Sequence, residues 1–277
     1  MKSVALPSGE RVPALGLGTW NIGDSDATRA EEICALRLGI DSGLTLIDTA
    51  EMYGSGRSEK LVAEAIAGCR DGLFLVSKVL PDNASCRGTI TACEKSLTRL
   101  GTDRLDLYLL HWLGGVPFAE TLEALAKLKA DGKIRHYGVS NLDLADMEEW
   151  WPLTGGDATV CNQLLYNLSR RGIEYDLLPW LRNRRVPVMA YSPLEQARLV
   201  SNKCLAEFSR RHGMTPAQAA LAWLLAKDDV IVIPKSGSRV RMQENIGALE
   251  HPLDAAQLAE LDAIFPPPKL AKPLEML

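Results

Sequence analysis

The sequence predicts an α/β fold, a (β/α)8 TIM barrel, from two repeating patterns and from the chain length. Stretches with helical periodicity alternate with short apolar runs, as helices and buried strands do in such a barrel. A chain of 277 residues is long enough for one barrel of this kind. The eight apolar runs, taken as strands, are residues 15–18, 44–47, 73–77, 105–110, 134–139, 159–162, 186–190 and 230–233.

The apolar runs indicate a parallel sheet. LDLYLL at residues 105–110 and GLFLVS at residues 72–77 are almost continuously apolar, which is typical of strands buried on both faces. Eight parallel strands can close into a barrel and leave no open edge. A doubly wound sheet of eight strands is the main alternative at this point.

The helices and the two ends complete the predicted architecture. We predict an N-terminal β-hairpin with strands at residues 4–6 and 11–13 around a Pro-Ser-Gly turn. The short C-terminal tail after Phe265, PPPKLAKPLEML, is too rich in proline for a continuous helix, and we expect it to wrap the surface or to cover a mouth. No linker interrupts the chain, which predicts one domain over residues 1–277. The helical stretches include residues 30–41, 58–69, 86–100, 117–131 and 144–151.

The composition excludes several classes of function. Apolar residues make up 47% and charged residues 24% of the chain, as in globular proteins. The 31 Lys and Arg residues against 35 Asp and Glu residues leave no basic stripe for nucleic acid. The six cysteines lack C-x-x-C spacing, so we expect no metal site and no disulfide framework. Without a signal peptide or an apolar span, the sequence predicts a cytoplasmic protein with no membrane partner, and we expect a monomer.

Polar side chains follow the strands at their carboxyl ends, where barrels of this kind carry their active sites. The first strand ends in Gly18-Thr19-Trp20. Asp48 ends the second strand, with Tyr53 five residues later, Lys78 ends the third, and His111-Trp112 end the fourth. The remaining strands end in Ser140-Asn141, Asn162-Gln163, Tyr191-Ser192 and Pro234-Lys235-Ser236.

The set on strands two to four predicts acid catalysis by a phenol. A tyrosine titrates near ~10 in water, and an adjacent ammonium such as Lys78 would lower the pKa of Tyr53. Asp48 would keep Lys78 charged inside the barrel mouth. His111 could then orient a carbonyl oxygen between its ring and Tyr53. Each of these residues has an ordinary structural interpretation, and only their joint order along the chain favours catalysis.

The motifs around these residues resemble those of the aldo-keto reductases. They cover nearly the whole chain and read GLGTW at 16–20, LIDTAEMYGSGRSE at 46–59, LVSKV at 75–79, LDLYLLHW at 105–112, GKIRHYGVSN at 132–141, CNQLLYN at 161–167, MAYSPL at 189–194 and IPKSGSRVRMQEN at 233–245. The resemblance implies NADPH-dependent reduction of aldehydes or ketones. It also implies a catalytic tetrad of Asp48, Tyr53, Lys78 and His111, with Tyr53 as the general acid.

The resemblance further implies where NADPH binds. Ser140, Asn141 and Gln163 would bind the carboxamide of the nicotinamide, with Tyr191 on its ring and Ser192, Pro193 and Leu194 along the pyrophosphate. The remaining implied cofactor residues are Lys235, Ser236 and Arg241 at the 2′-phosphate, Glu244 and Asn245 at the adenine, and Gly18, Thr19, Trp20, Asp48, Gly237 and Ser238 elsewhere along the site. Glu195 and Gln196 stand where many members have a glycine, so the chain departs from the family at the pyrophosphate cover.

Part of this cofactor prediction is independent of the resemblance. No G-x-G-x-x-G motif follows a strand, so a Rossmann domain is unsupported. The run Lys235-Ser236-Gly237-Ser238, with Arg241 in the following helix, could surround a phosphate dianion with backbone N–H groups and two cations. Its alternative interpretation is a solvated, basic helix start.

The substrate prediction is a small aldehyde or α-oxoaldehyde. Trp20, Tyr53, His111 and Trp112 would line an apolar pocket, and the loops after Trp112 and Leu194 are too short to bury a large ketone. Two other functions stay open. One is a non-catalytic NADPH-binding sensor or regulatory subunit, and the other is a lyase or isomerase that uses Lys78 as a Schiff-base amine.

Overall fold

The structure, a computed structural model, describes residues 2–277. It begins with a hairpin of β1 (Ser3–Ala5) and β2 (Arg11–Pro13), paired antiparallel. Glu10 in the hairpin accepts hydrogen bonds from Arg135 at 2.9 Å and lies 2.8 Å from His136 Nε2, near the start of a barrel strand. The predicted hairpin is therefore confirmed, and it lies at the amino-terminal ends of the strands.

Eight parallel strands form the central sheet, and their spatial order follows their order in the sequence without a reversal. A doubly wound sheet reverses its strand order at a switch point, so this topology excludes that alternative. The strands are β3 (Leu17–Gly18), β4 (Leu46–Asp48), β5 (Phe74–Val79), β6 (Leu105–Leu110), β7 (Ile134–Ser140), β8 (Asn162–Leu165), β9 (Val188–Tyr191) and β10 (Val230–Val232).

Hydrogen bonds join the first and last strands of this sheet. Gly16 N donates to Val232 O at 2.8 Å, and Gly18 N donates to Pro234 O at 3.0 Å. A Cβ atom on Gly18 would lie 2.7 Å from the carbonyl oxygen of Ile233, so only glycine fits this close approach. The sheet therefore curls until its two edges meet, consistent with the predicted (β/α)8 fold.

Helices cover the outside of the sheet. Two of them lie between β9 and β10, and two more follow β10 before the tail, residues 266–277. Capping boxes at Asp143, Thr215 and Asp254 fix the first turns of three helices. The helices are α1 (Arg29–Asp41), α2 (Arg57–Ala65), α3 (Cys86–Leu100), α4 (Phe118–Ala130), α5 (Leu144–Trp150), α6 (Leu177–Asn183), α7 (Lys203–Arg211), α8 (Pro216–Leu225), α9 (Arg239–Gly247) and α10 (Ala255–Ile264).

Most predicted elements differ from the observed ones by one or two residues at an end, and two differ by more. The sixth strand, predicted at residues 159–162, is β8 at Asn162–Leu165, because Leu164 and Leu165 pair with β9 and continue the ladder. Asn162 and Gln163 thus begin the strand instead of ending it. The helix predicted over residues 58–69 ends at Ala65, since Gly68 takes a left-handed conformation with φ 87°.

Within residues 2–277, no helix combines the length and the apolar character that crossing a membrane requires.

Candidate active site

A cavity of about 690 Å³ opens at the carboxyl ends of the strands. It brings together residues from the first strand to the last, as the strand-end pattern predicts. The predicted site residues in its wall are Gly18, Thr19, Trp20, Asp48, Tyr53, His111, Trp112, Ser140, Asn141, Gln163, Tyr191, Ser192, Pro193, Leu194, Lys235, Arg241, Glu244 and Asn245.

Asp48 and Lys78 form a buried ion pair beneath the cavity. Lys78 Nζ lies 2.8 Å from Asp48 Oδ1 and 2.9 Å from Oδ2, and it also donates to Thr49 O at 2.9 Å. Burial alone would lower the pKa of Lys78, but Asp48 and Tyr53 raise it above its ordinary value. Lys78 is therefore a fully buried side chain that stays an ammonium.

Tyr53 lies directly against this ammonium. It begins a 3₁₀ turn, Tyr53–Gly56, in which Gly54, Ser55 and Gly56 all have left-handed backbone, so the chain folds back sharply after β4. Lys78 Nζ is 3.1 Å from the Tyr53 hydroxyl and 4.7 Å from the centre of its ring. The predicted contact between this phenol and this cation is present.

The predicted direction of the Tyr53 pKa is wrong. Burial, the largest effect, raises the pKa of Tyr53, and the Lys78 ammonium lowers it by less, so the net value is above the ordinary 10.0. The Asp48 carboxylate adds to the rise and cancels part of the effect of Lys78. Tyr53 is therefore a protonated phenol throughout the neutral range, which suits a proton donor.

His111 completes the predicted tetrad. Its ring packs edge-on against Tyr53, with 5.9 Å between ring centres, and tilted against Trp112 at 4.6 Å. Burial, reinforced by the Lys78 ammonium, lowers the pKa of His111 to about 2. At neutral pH the imidazole is uncharged, so one ring nitrogen carries a proton and the other does not. Within residues 2–277 the buried Nδ1 atom has no hydrogen-bond partner.

Amide and hydroxyl groups line the cavity beside the tetrad. Gln163 Nε2 donates to Asp48 Oδ1 at 2.7 Å, and Asn141 Nδ2 donates to His111 O at 3.1 Å. The Tyr191 hydroxyl donates to Asn141 Oδ1 at 3.0 Å, and Ser140 Oγ donates to Gln163 O at 3.0 Å. This end of the cavity is thus a connected set of neutral donors and acceptors.

The other end of the cavity is cationic. Lys235 and Arg241 are exposed, and within residues 2–277 neither forms an ion pair with a carboxylate. The predicted residues Ser236, Gly237 and Ser238 do not line the cavity. The Ser236 hydroxyl donates to Ser238 O at 2.9 Å, so it shapes the turn that presents the two cations.

Thr19 contributes to the positions of its neighbours as well as to the wall. Its hydroxyl donates to Asp48 O at 2.9 Å and accepts from Ser58 Oγ at 2.9 Å. This buried contact joins the ends of β3 and β4 to the first turn of α2.

Several residues of the cavity wall were not predicted from the sequence. Met276 and Leu277 at the end of the tail reach the cavity, so the tail covers the mouth, which is one of its two predicted courses. The proline-rich tail was the only hint of this contact. The other unpredicted wall residues are Asn21, Met52, Gln196, Ala197, Val200, Ala217, Ile233 and Pro234.

Comparison with known proteins decides the family. A sequence model described as the Aldo/keto reductase family matches residues 14–265. This chain belongs to the aldo-keto reductase family. Among its relatives is methylglyoxal reductase YeaE of Escherichia coli, 50% identical over all of this chain and 99% of that protein. Glyoxal reductase of Bacillus subtilis is 32% identical over 95% of this chain and 92% of that protein.

A solved structure agrees with the sequence relatives. An aldo/keto reductase from Klebsiella pneumoniae, in complex with NADP and acetate, has a TM-score of 0.97 and is 48% identical over all of this chain and 99% of that one. As a member of this family, our reductase is an NADP-dependent oxidoreductase that reduces carbonyl compounds.

Proposed function

We propose that this aldo-keto reductase reduces small aldehydes and α-oxoaldehydes such as methylglyoxal to alcohols, with Tyr53 as the general acid. The observation that carries the proposal is the 3.1 Å contact between the Tyr53 hydroxyl and the Lys78 ammonium, itself bound by Asp48. The relatives named for methylglyoxal and glyoxal reduction support the substrate class.

The residues present fit NADPH. The neutral donors and acceptors of Ser140, Asn141 and Gln163 match a carboxamide, and Tyr191 offers an aromatic face beside them. Lys235 and Arg241, free of carboxylate partners within residues 2–277, match a phosphate at the far end. We therefore assign these residues to the two ends of the cofactor, with Ser192, Pro193 and Leu194 between them and Glu244 and Asn245 at the adenine.

The chemistry divides between cofactor and protein. NADPH supplies the hydride that adds to the carbonyl carbon. Tyr53 donates its proton to the carbonyl oxygen as charge develops there, and the Lys78 ammonium stabilises the phenolate that remains. The uncharged His111 ring offers an N–H to the same oxygen without a competing positive charge, and Asp48 keeps Lys78 protonated.

The state of Lys78 argues against Schiff-base chemistry. A Schiff-base lysine must reach the substrate as a neutral amine. Here Lys78 is fully buried, it contacts Asp48, Thr49 and Tyr53, and its pKa is raised. These contacts suit an ammonium that acts on Tyr53.

The wall of the mouth favours small substrates. The apolar side chains at the opening, Trp20, Met52, Met276 and Leu277, are between 40% and 50% exposed. Since these side chains stay partly in solvent, a large apolar ketone packed against them would leave much of its own surface in water. A small carbonyl needs only Trp20, Trp112, Tyr53 and His111 around it.

One experiment tests both parts of the proposal. We would measure kcat/KM for a size series from methylglyoxal to a steroid ketone, with wild type and with Tyr53→Phe. We expect methylglyoxal or a small aromatic aldehyde to be the best substrate and Tyr53→Phe to lose ~100-fold or more in turnover, with NADPH affinity nearly unchanged.

Tyr175→Phe is the matched control, because Tyr175 is 50% exposed and does not line the cavity. Near wild-type turnover in Tyr53→Phe would refute the acid assignment. A steroid that exceeds every small aldehyde by ~10-fold, or ~1.4 kcal/mol of transition-state binding, would refute the substrate class.

A further inference from the structure

The turn after β8 contacts two other segments of the mouth. In this turn Arg170 N donates to Asn167 O at 3.0 Å, which closes a tight loop. One neighbour is residues 192–198, here called the cover segment. The other is the end of the tail, which contributes Met276 and Leu277 to the cavity wall.

The cover segment has an unfavourable backbone. Ser192, Glu195, Gln196 and Ala197 have φ values of 46°, 50°, 51° and 70°. Residues other than glycine adopt this left-handed conformation reluctantly, so surrounding contacts must maintain it. Two of them, Glu195 and Gln196, directly follow YSPL, where the sequence departs from the family pattern.

Glu195 supplies those contacts. The residue is only 3% exposed, and its Oε1 accepts from Arg170 Nε at 2.9 Å and from Arg170 Nη2 at 2.8 Å. Oε2 accepts from Asn167 Nδ2 at 2.8 Å, and the same amide donates to Ser192 O at 2.9 Å. The turn after β8 therefore holds the cover segment at two of its left-handed residues, Ser192 and Glu195.

The remaining nitrogen of the same guanidinium binds the tail. Arg170 Nη1 lies 2.5 Å from Glu275 Oε1. Glu275 directly precedes Met276 and Leu277, so this ion pair fixes where the tail crosses the mouth. The planar guanidinium of Arg170 thus binds the cover segment through Nε and Nη2 and the tail through Nη1. A rotation that breaks one of these contacts disturbs the other.

We propose that Arg170 is a positioning residue that couples retention of NADPH beneath the cover segment to closure of the tail over the substrate mouth. The proposal rests on the cofactor placement given under the proposed function. Such coupling of binding free energies is reciprocal. Bound cofactor stabilises the closed tail, and the closed tail raises the affinity for the cofactor, which we expect to slow its dissociation.

The test is a double-mutant cycle on the rate of NADPH dissociation, followed by nucleotide fluorescence in a stopped-flow instrument. Glu275 is on the tail, and within residues 2–277 its side chain forms a hydrogen bond and an ion pair with Arg170 alone, so Glu275→Gln isolates the coupling. We expect Glu275→Gln to raise the dissociation rate about threefold and to have no further effect in an Arg170→Met background.

Arg182→Met is the matched control, because it removes an ion pair with Asp229 at the opposite end of the barrel. We expect it to leave the dissociation rate unchanged. High salt should shrink the difference between wild type and Glu275→Gln, since Arg170 and Glu275 are 31% and 38% exposed at their side chains.

The outcomes separate this proposal from the one it rests on. An unchanged rate in Glu275→Gln, or effects of Glu275→Gln and Arg170→Met that simply add, overturns the coupling. If wild type fails to bind NADPH, or if Lys235→Ala/Arg241→Ala binds it as tightly as wild type, the cofactor placement is wrong and the coupling falls with it.

Discussion

The proposed tetrad on one side of the mouth is built differently from the cover segment and the tail on the other. Asp48, Lys78 and His111 lie on or directly after consecutive strands. Asp48 and Lys78 are both buried, and the hydrogen bonds of the sheet fix the backbone that carries them. The cover segment and the tail have no strand beneath them and depend on Glu195, Arg170 and Glu275. A change on the first side should therefore affect stability and chemistry together, and a change on the second should affect binding.

The largest effect should follow from Lys78→Met. The change leaves the buried Asp48 carboxylate without its cation, which costs about 3–5 kcal/mol of unfolding free energy as well as turnover. Urea unfolding at pH 7 measures the loss. Lys133→Met, which breaks a surface pair with Glu94, should cost less than ~1 kcal/mol.

A second variant separates the two roles of this pair. Asp48→Asn/Lys78→Met removes both charges, so most of the lost stability should return while turnover stays low. Wild-type stability in Lys78→Met alone would contradict the view that the sheet buries a strongly coupled pair.

A smaller effect, on binding alone, should follow from Lys235→Ala/Arg241→Ala. Each charge-assisted contact to the 2′-phosphate contributes about 1.5 kcal/mol, so NADPH affinity should fall about 100-fold while NADH affinity and urea stability stay the same. Isothermal titration with both nucleotides measures the preference. Arg239→Ala, at an exposed neighbour outside the cavity wall, is the control.

Unchanged discrimination between NADPH and NADH in the double variant would show that the phosphate binds elsewhere. A large loss of stability in that variant would show that the cofactor side is as integral to the fold as the tetrad.

The smallest effect should be that of pH. Because burial lowers the pKa of His111 to about 2 and raises that of Tyr53, neither group changes its charge in the neutral range. The value of kcat/KM for reduction should vary by less than roughly twofold between about pH 6 and 9, and should fall only when the Tyr53 proton is lost above about 10. An inflection near pH 6.5 that disappears in His111→Gln would contradict this.

The sequence predicted the arrangement of the proposed tetrad better than that of the cover segment and the tail. Strand order and the tetrad follow from local patterns, since apolar runs locate the strands and a parallel barrel brings their ends together. The net pKa of Tyr53 depended on how deeply its hydroxyl is buried, which no local pattern records. Contacts such as that of Arg170 with Glu275 join residues that are far apart in the sequence. Local sequence patterns therefore do not predict them.

The difference between local patterns and contacts of distant residues also explains the misplaced sixth strand. The apolar pattern of residues 159–162 is real, and Val160 and Cys161 already bond to β7. The ladder with β9 then extends the strand to Leu165, and that pairing is a tertiary contact.

The seam at Gly18 has a consequence for how the protein assembles. There the first strand meets the end of the last one, and Gly18 pairs directly with Lys235, the cation assigned to the 2′-phosphate. Contacts between such distant parts of a chain form late and slowly during folding, because a long loop must close before they can form. Until residue 235 has been synthesised and docked, the nascent sheet has two open edges and lacks Lys235 at the proposed 2′-phosphate site. Because a ligand that binds only the folded state stabilises it, we expect bound NADPH to favour the completed ring over partly assembled forms.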